Sequence, residues 1–304
     1  MSDDRIVAIC ADDYGLSYGV SIGILEALDA GRLTAVSALV NGPRWPAMGV
    51  ELRRRCRDAD VGLHFNLTLG RPLGPMPTFA SEGSFPPVST VVRLALRRKL
   101  PLAEIRAEID RQLNRFETVM GREPDYVDGH QHVHGLPGVR DALIEALAAR
   151  GLAGRVWLRD AGDELHRIVL RGAHSPKTLA LALAVQGLSS GFRRAALRQG
   201  FVTNEGFSGH SVFDPGKDYA RAFETYLRAP GRRHLVMCHP GHVDDELRAQ
   251  DWVTVTREQE LAFLLSPRLP DMLEERGLRL ARLSEPHPLP SRSGERMMSE
   301  GTPQ

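Results

Sequence analysis

Apolar positions along this chain fall into two alternating rhythms. Short apolar runs at 6–10, 35–40, 61–69, 156–158, 201–202, 234–238 and 278–283 predict strands. Between them, helical spacing predicts helices. One covers 20–30, with Ile24, Leu25 and Leu28 on one side and Gly31 as a stop. A basic helix follows Asn41-Gly42-Pro43, and another covers 101–120, with Pro101 near its start and Gly121 just past its end. Further helices are expected at 139–150, over one long region at 176–198, at 214–227 and at 257–265. The Pro/Gly-rich stretch 71–87 reads as loop, and 71–99 as a segment that forms a substrate wall or lid. Strands separated by helices argue for a parallel α/β architecture. The chain shows no internal repeat, and its tail from 284, rich in Pro, Ser and Gly, predicts disorder after a domain at 1–283.

Composition narrows the function classes. The 304 residues are 42% hydrophobic and 25% charged, as in ordinary globular enzymes, and α/β barrels of roughly 250 residues fold as one domain. Lys+Arg of 39 against Asp+Glu of 38 leaves a net charge of +1, which gives no global attraction to nucleic acid or an anionic membrane. The clusters Arg53-Arg54-Arg55 and Arg97-Arg98-Lys99 read as solvated helix faces. No apolar run approaches the roughly 18 residues of a membrane span. The N-terminus enters a strand with no signal-peptide pattern, and Cys10, Cys56 and Cys238 show no spacing pattern. Reduced thiols in a cytoplasmic protein are expected. Cys238 precedes His239 directly, so in a strand the two point to opposite faces and make no nucleophile pair.

The segment Asp128-Gly129-His130-Gln131-His132-Val133-His134 carries the most chemistry. Read as an extended strand, it places Asp128, His130, His132 and His134 on one face. Neutral imidazole is the commonest metal ligand and a nearby carboxylate can orient it, so this face predicts a metal site. The competing reading is a polar edge strand with incidental histidines. In the third strand, Gly62, His64, Asn66 and Thr68 alternate with Leu63, Phe65, Leu67 and Leu69, so His64 and Asn66 face away from the apolar side. Asp12-Asp13, Asn41, His64 with Asn66, His130, Arg159-Asp160 and His239 all fall at or late in strands. That is where α/β barrels build active sites.

Four segments resemble the signatures of the YdjC-like carbohydrate deacetylases, which include chitooligosaccharide and hopanoid-associated deacetylases. They are Ala11-Asp12-Asp13-Tyr14-Gly15-Leu16-Ser17, Gly62-Leu63-His64-Phe65-Asn66-Leu67-Thr68, the histidine segment and Met237-Cys238-His239-Pro240. Ala38-Leu39-Val40-Asn41-Gly42 and Gly206-Phe207-Ser208 are weaker matches, and the resemblance runs from about residue 5 to 283 in the family's order. It implies a deformed (β/α) barrel and one divalent metal held by an Asp and two His, here Asp13, His64 and His130. It implies Asp12 as general base and His239 as general acid.

An Asp plus two His leaves coordination positions open, as a catalytic metal requires. Adjacent carboxylates can divide roles, one on the cation and one on its water, and a departing amine needs a proton donor. The expected reaction is hydrolysis of the acetamide of an N-acetylated amino sugar. Asn41, Asn66, Asp128, His132 and Arg159 are candidate substrate-binding or supporting residues, with Asp128 either holding His130 or facing solvent. For Arg159 the alternative is an ion pair with Asp160 or Asp163. His134 is expected to be structural and His242 a loop residue. The donor set accommodates magnesium or zinc, and also manganese or cobalt, and a homodimer is the default assembly. Two other readings stand beside the deacetylase: a non-catalytic metal-containing sugar-binding or regulatory protein, and a phosphoester hydrolase. The latter lacks a Lys/Arg cluster or glycine-rich cradle.

Overall fold

A computed structural model describes residues 5–172 and 175–285. The strands are β1 Ile6–Tyr14, β2 Ala35–Ala38, β3 Asp60–Phe65, β4 Tyr126–Gly129, β5 Trp157–Leu158, β6 Val202–Thr203, β7 Gly206–Ser208, β8 Arg233–Cys238 and β9 Arg279–Leu280. All the pairings are parallel, in the order β6-β5-β4-β3-β2-β1-β8-β7, with β9 beside the start of β1. Helices cover the outside of this curled sheet, giving a deformed (β/α) barrel. The seam lies between β6 and β7, where Asn204 replaces a ladder: its Oδ1 accepts from Asp160 N and its Nδ2 donates to the Asp160 and Gly206 carbonyls.

Strand alternation sorts two cores. Val7, Ile9 and Ala11 join Val36, Leu63, Phe65 and Val127 in the layer beneath the helices. Ile6, Ala8 and Cys10 point the other way, into a barrel interior filled by Tyr126, Trp157, Phe207, Leu235 and Met237. Parallel strands covered on both faces are apolar on both, apart from the functional positions. Tyr126 and Trp157 stack at 4.1 Å, 11° from parallel, and plug the barrel beneath the polar end.

Several elements differ from the sequence reading. The segment 71–87 is loop, but helix Val88–Leu96 follows it inside the expected long loop. The expected helix at 176–198 is two, Pro176–Leu188 and Phe192–Arg198, parted where Gly191 takes φ of 83°. The third strand ends at Phe65. Beyond it Asn66 turns the chain, its Oδ1 accepting from the amides of Thr68 and Leu69. Helices Leu165–Gly172, Asp245–Gln250 and Arg268–Glu275 and strand β7 carry too few periodic positions to read from pattern. Of the tail expected to be disordered, Ser284 is tied to Asp60 by its backbone amide; the part from 286 lies outside the described residues. Among the described residues no helix is long and apolar enough to cross a membrane.

Candidate metal centre and active site

The polar end of the barrel is built from strand termini. Asp13 follows Asp12 with φ of 71°, a left-handed conformation in which the backbone leaves the strand rhythm. Asp tolerates this region better than most residues, and such local strain collects at functional sites. Adjacent carboxylates therefore reach different partners. Asp12 faces the barrel interior and Asp13 faces two histidines.

The histidine segment is not the extended strand expected from alternation. β4 ends at Gly129, and His130–Gly135 coils into a tight turn in which Gln131 and His132 take φ of 50° and 60°. This turn breaks the common face. His130 stays at the site, while His134 is buried with its Nε2–H donating to the Arg159 carbonyl at 2.8 Å. His132 is half-buried and lines the same cavity as His130, its ring 5.8 Å from Phe207. A Cβ at Gly129 would lie 2.9 Å from His134 Nδ1, so the turn closes tightly only over glycine.

Asp13, His64 and His130 converge. Their donor atoms lie within 4.8 Å of one another, and the group could hold a metal ion. Asp13 Oδ1 is 3.0 Å from His130 Nδ1 and 3.5 Å from His64 Nε2. The two imidazoles sit edge to face at 5.5 Å. On its other side, His64 Nδ1–H donates to Asp128 Oδ1 at 2.7 Å, a contact made possible because His64 and Asp128 are register partners on β3 and β4. Asp128 thus orients His64 rather than His130, which corrects the sequence expectation. A carboxylate behind a histidine fixes its tautomer and leaves Nε2 directed at the cluster.

Behind this cluster Arg159 is fully buried. It grips Asp12 with both terminal nitrogens, at 2.6 and 2.7 Å, and lies 2.5 Å from Asp128 Oδ2. Neither neighbour suggested by sequence, Asp160 nor Asp163, is its partner. Ser37 donates to Asp128 Oδ2 at 2.6 Å. A second buried cation, Arg257, reaches Asp13 Oδ2 and Asp251 Oδ2, both at 2.7 Å.

These pairs set the protonation states. Burial opposes the charged form of Asp12, but Arg159 and then His64 outweigh it and hold the carboxyl far below the usual range. Asp13 is also held well below, against burial, by Arg257 and His130. For His64, burial favours the neutral ring, yet Asp128 and Asp12 push its pKa up to about 10. Three buried carboxylates, Asp12, Asp13 and Asp128, with Asp251 sharing Arg257, face two buried guanidiniums, Arg159 and Arg257, so the site calls for further positive charge beside His64. A divalent ion in place of the His64 proton satisfies that demand with this Asp/His₂ donor set.

The cluster opens into a cavity of about 510 Å³, within the usual range for small-molecule sites. Asp12, Asp13, His64, His130 and His239 all line it. His239 follows the end of β8, its backbone amide donating to Glu260 Oε2 at 2.6 Å and its ring meeting Phe213 edge to face at 5.1 Å. Burial pulls its pKa below the ordinary histidine value. Helix Val88–Leu96, within the stretch read as a loop, contributes Val88 and Val92 to the lining. Asn41 and Asn66 lie outside the lining. Asn66 Nδ2 donates to Asn41 Oδ1 and to the Leu69 carbonyl, fastening the turn after β3. His242 sits on the surface, 2.9 Å from Glu26.

Sequence reasoning missed Ser37, Arg257, Asp251 and Glu260. Ser37 was readable in principle as the one hydroxyl among apolar strand neighbours. Arg257 lies 244 positions from Asp13 in a helix whose pattern reads as an ordinary polar face.

The YdjC-like protein family model matches residues 6–275. The chain belongs to the YdjC-like family. A chitooligosaccharide deacetylase of an Enterobacter species is 33% identical over 277 residues, covering 91% of this chain and 97% of the relative. Its counterpart in Citrobacter koseri is 34% identical over 281 residues, with the same coverage. Among solved structures, an Enterococcus faecalis protein named for cellobiose-phosphate cleavage superposes with a TM-score of 0.67 at 25% identity. The superposition covers 92% of this chain and 97% of that one.

Proposed function

We propose that this YdjC-like protein is a metal-dependent carbohydrate N-deacetylase that hydrolyses the acetamide of an N-acetylated amino sugar or its oligomer to acetate and a free amine. The observation that carries this reading is the convergence of Asp13, His64 and His130 with Asp12 and His239 on one cavity. The names of the two curated relatives favour a chitooligosaccharide as the substrate class.

In this proposal Asp13, His64 and His130 hold the divalent ion, magnesium or zinc in the first instance and manganese or cobalt as further candidates. When bound, the ion acts as a Lewis acid at the acetamide carbonyl and favours deprotonation of water. The chain's own groups do the rest. Each Asp12 oxygen accepts from Arg159 and Oδ1 also from Cys10 Sγ, which leaves a lone pair of Oδ2 to orient the attacking water and accept its proton. His239, reaching the cavity from another strand end, would act from its imidazolium form, which Asp13 and Asp12 favour against burial, and pass its proton to the departing amine nitrogen, the proton taken up by Asp12 restoring the balance. His132 and the Val88–Val92 wall shape the acceptor space. A phosphoester hydrolase is disfavoured because both cations nearest the cluster, Arg159 and Arg257, are already committed to carboxylates.

The test is acetate release from a panel of N-acetylated sugars by metal-stripped protein refilled with single divalent ions. The expected result is metal-dependent acetate release that is lost in Asp12→Asn and His130→Ala. Release of phosphate from phosphorylated sugars, or absence of both metal binding and acetate release, would overturn the reading.

A further inference from the structure

We infer that Trp252, backed by Phe213, is the stacking platform that receives the sugar ring of the substrate and sets its position against His239. The inference rests on the deacetylase reading above and adds a residue role to it.

Three observations carry it. Trp252 is 70% exposed, whereas Trp45 and Trp157 are buried, and a large aromatic presented to solvent beside a concave site marks binding surface. The Trp252 ring meets Phe213 edge to face at 5.6 Å, and Phe213 meets His239 in the same way at 5.1 Å. A row of three rings therefore runs from the cavity mouth to the expected proton donor, and all three residues line the cavity.

The platform is also fixed in place. Phe213 takes φ of 50°, a left-handed conformation that bulky residues rarely adopt. Arg257 donates to the Val253 carbonyl and to Asp251, the two residues flanking Trp252, and the same guanidinium holds Asp13. Val253 N further donates to Asp251 Oδ1, closing the turn that presents the indole. One buried side chain thereby ties the exposed indole to the carboxylate of the metal cluster.

A pyranose has one face lined by axial C–H bonds, and that face lies flat on an indole while the hydroxyl rim keeps its water. An acetamido sugar stacked on Trp252 would be located by its ring, with the acetamide free to turn into the Asp13–His64–His130 cluster. The ligand class is therefore a hexopyranose or short oligosaccharide rather than an acetylated peptide or polyamine, which has no such face.

Because Trp45 and Trp157 are buried, Trp252 is the tryptophan whose emission responds to a ligand at the cavity mouth. The experiment titrates metal-loaded full-length protein with N-acetylglucosamine and N,N′-diacetylchitobiose. It follows emission and, separately, acetate release by wild type, Trp252→Ala and Trp252→Phe. The expected result is a saturable change in emission that disappears in Trp252→Ala. With it, Trp252→Ala should raise KM about tenfold, equivalent to about 1.4 kcal/mol of binding, and Trp252→Phe should recover most of the KM. Wild-type emission that stays flat across both sugars, or an unchanged KM in Trp252→Ala, would overturn the platform. A saturable response without acetate release would keep the platform and overturn the deacetylase reading.

Discussion

His64 and Asp128 stand opposite each other on adjacent parallel strands and are joined by a 2.7 Å bond from the imidazole to the carboxylate. The other oxygen of Asp128 meets Arg159 at 2.5 Å, and Arg159 grips Asp12. One carboxylate thus orients a histidine of the metal cluster while sharing the cation that holds the proposed base.

Replacing Asp128 tests the first of these duties. Asp128→Asn preserves shape, but its amide turns either an N–H toward Arg159 or an N–H toward His64, so one contact becomes repulsive. Supporting partners of metal-bound histidines are typically worth about 10–100-fold in metal affinity or activity. Isothermal titration of zinc into metal-stripped protein should show a loss of that size, with circular dichroism unchanged. Undiminished affinity would remove Asp128 from the metal centre.

Arg159 tests the second. Arg159→Met leaves Asp12 and Asp128 buried without their shared cation, and orphaning a buried charge costs about 3–5 kcal/mol. Urea unfolding at pH 7 should report a loss in that range. Arg159→Lys keeps the charge but not the two-pronged grip on Asp12, so it should retain more stability than Arg159→Met while still losing catalytic rate. Equal stability of the methionine variant and wild type would mean that the carboxylates are neutralised by other means.

How much of this was legible depended on whether chemistry followed strand period. In β1 and β3 it did. Cys10 and Asp12 share a face with the barrel interior, and His64 opposes Leu63 and Phe65, so the alternation pointed to the right side of the sheet. In the histidine segment it did not, because two left-handed residues, Gln131 and His132, cancel the two-residue repeat, and no local pattern announces that turn. His130 still reaches Asp13 and His64, because it directly follows the strand. The Asp128 pairing was misassigned to His130 because proximity in sequence was weighed above the cross-strand register. The Arg257–Asp13 pair joins the last third of the chain to β1, a distance over which periodicity carries no information.

Gly62 provides a packing test of the barrel interior. A Cβ there would sit 2.4 Å from the Tyr126 ring. That ring has nowhere to go, since it stacks on Trp157 at 4.1 Å and its hydroxyl is 2.7 Å from Ser37 Oγ. Overpacking of this kind costs about 1–3 kcal/mol. Gly62→Ala should lower the melting temperature and, because Ser37 also bonds Asp128, reduce activity beyond what the stability loss explains.

Glu260 makes stability depend on pH with a definite sign. Its carboxyl is buried, and burial pushes its pKa from 4.5 to about 7, against the opposing pull of the His239 amide and Arg257. The folded chain therefore binds a proton at Glu260 that the unfolded chain has released, throughout the window from 4.5 to about 7. The contribution is fully present below the unfolded value and is lost as pH rises through the folded one. Its slope approaches about 1.4 kcal/mol per pH unit inside the window. Glu260→Gln keeps an oxygen to accept from the His239 amide but cannot titrate. Urea unfolding of both proteins across this range should show wild type losing stability relative to the variant as pH rises, with parallel curves outside it. Parallel curves throughout would place the Glu260 pKa at its unfolded value and mean that water reaches the carboxyl behind His239.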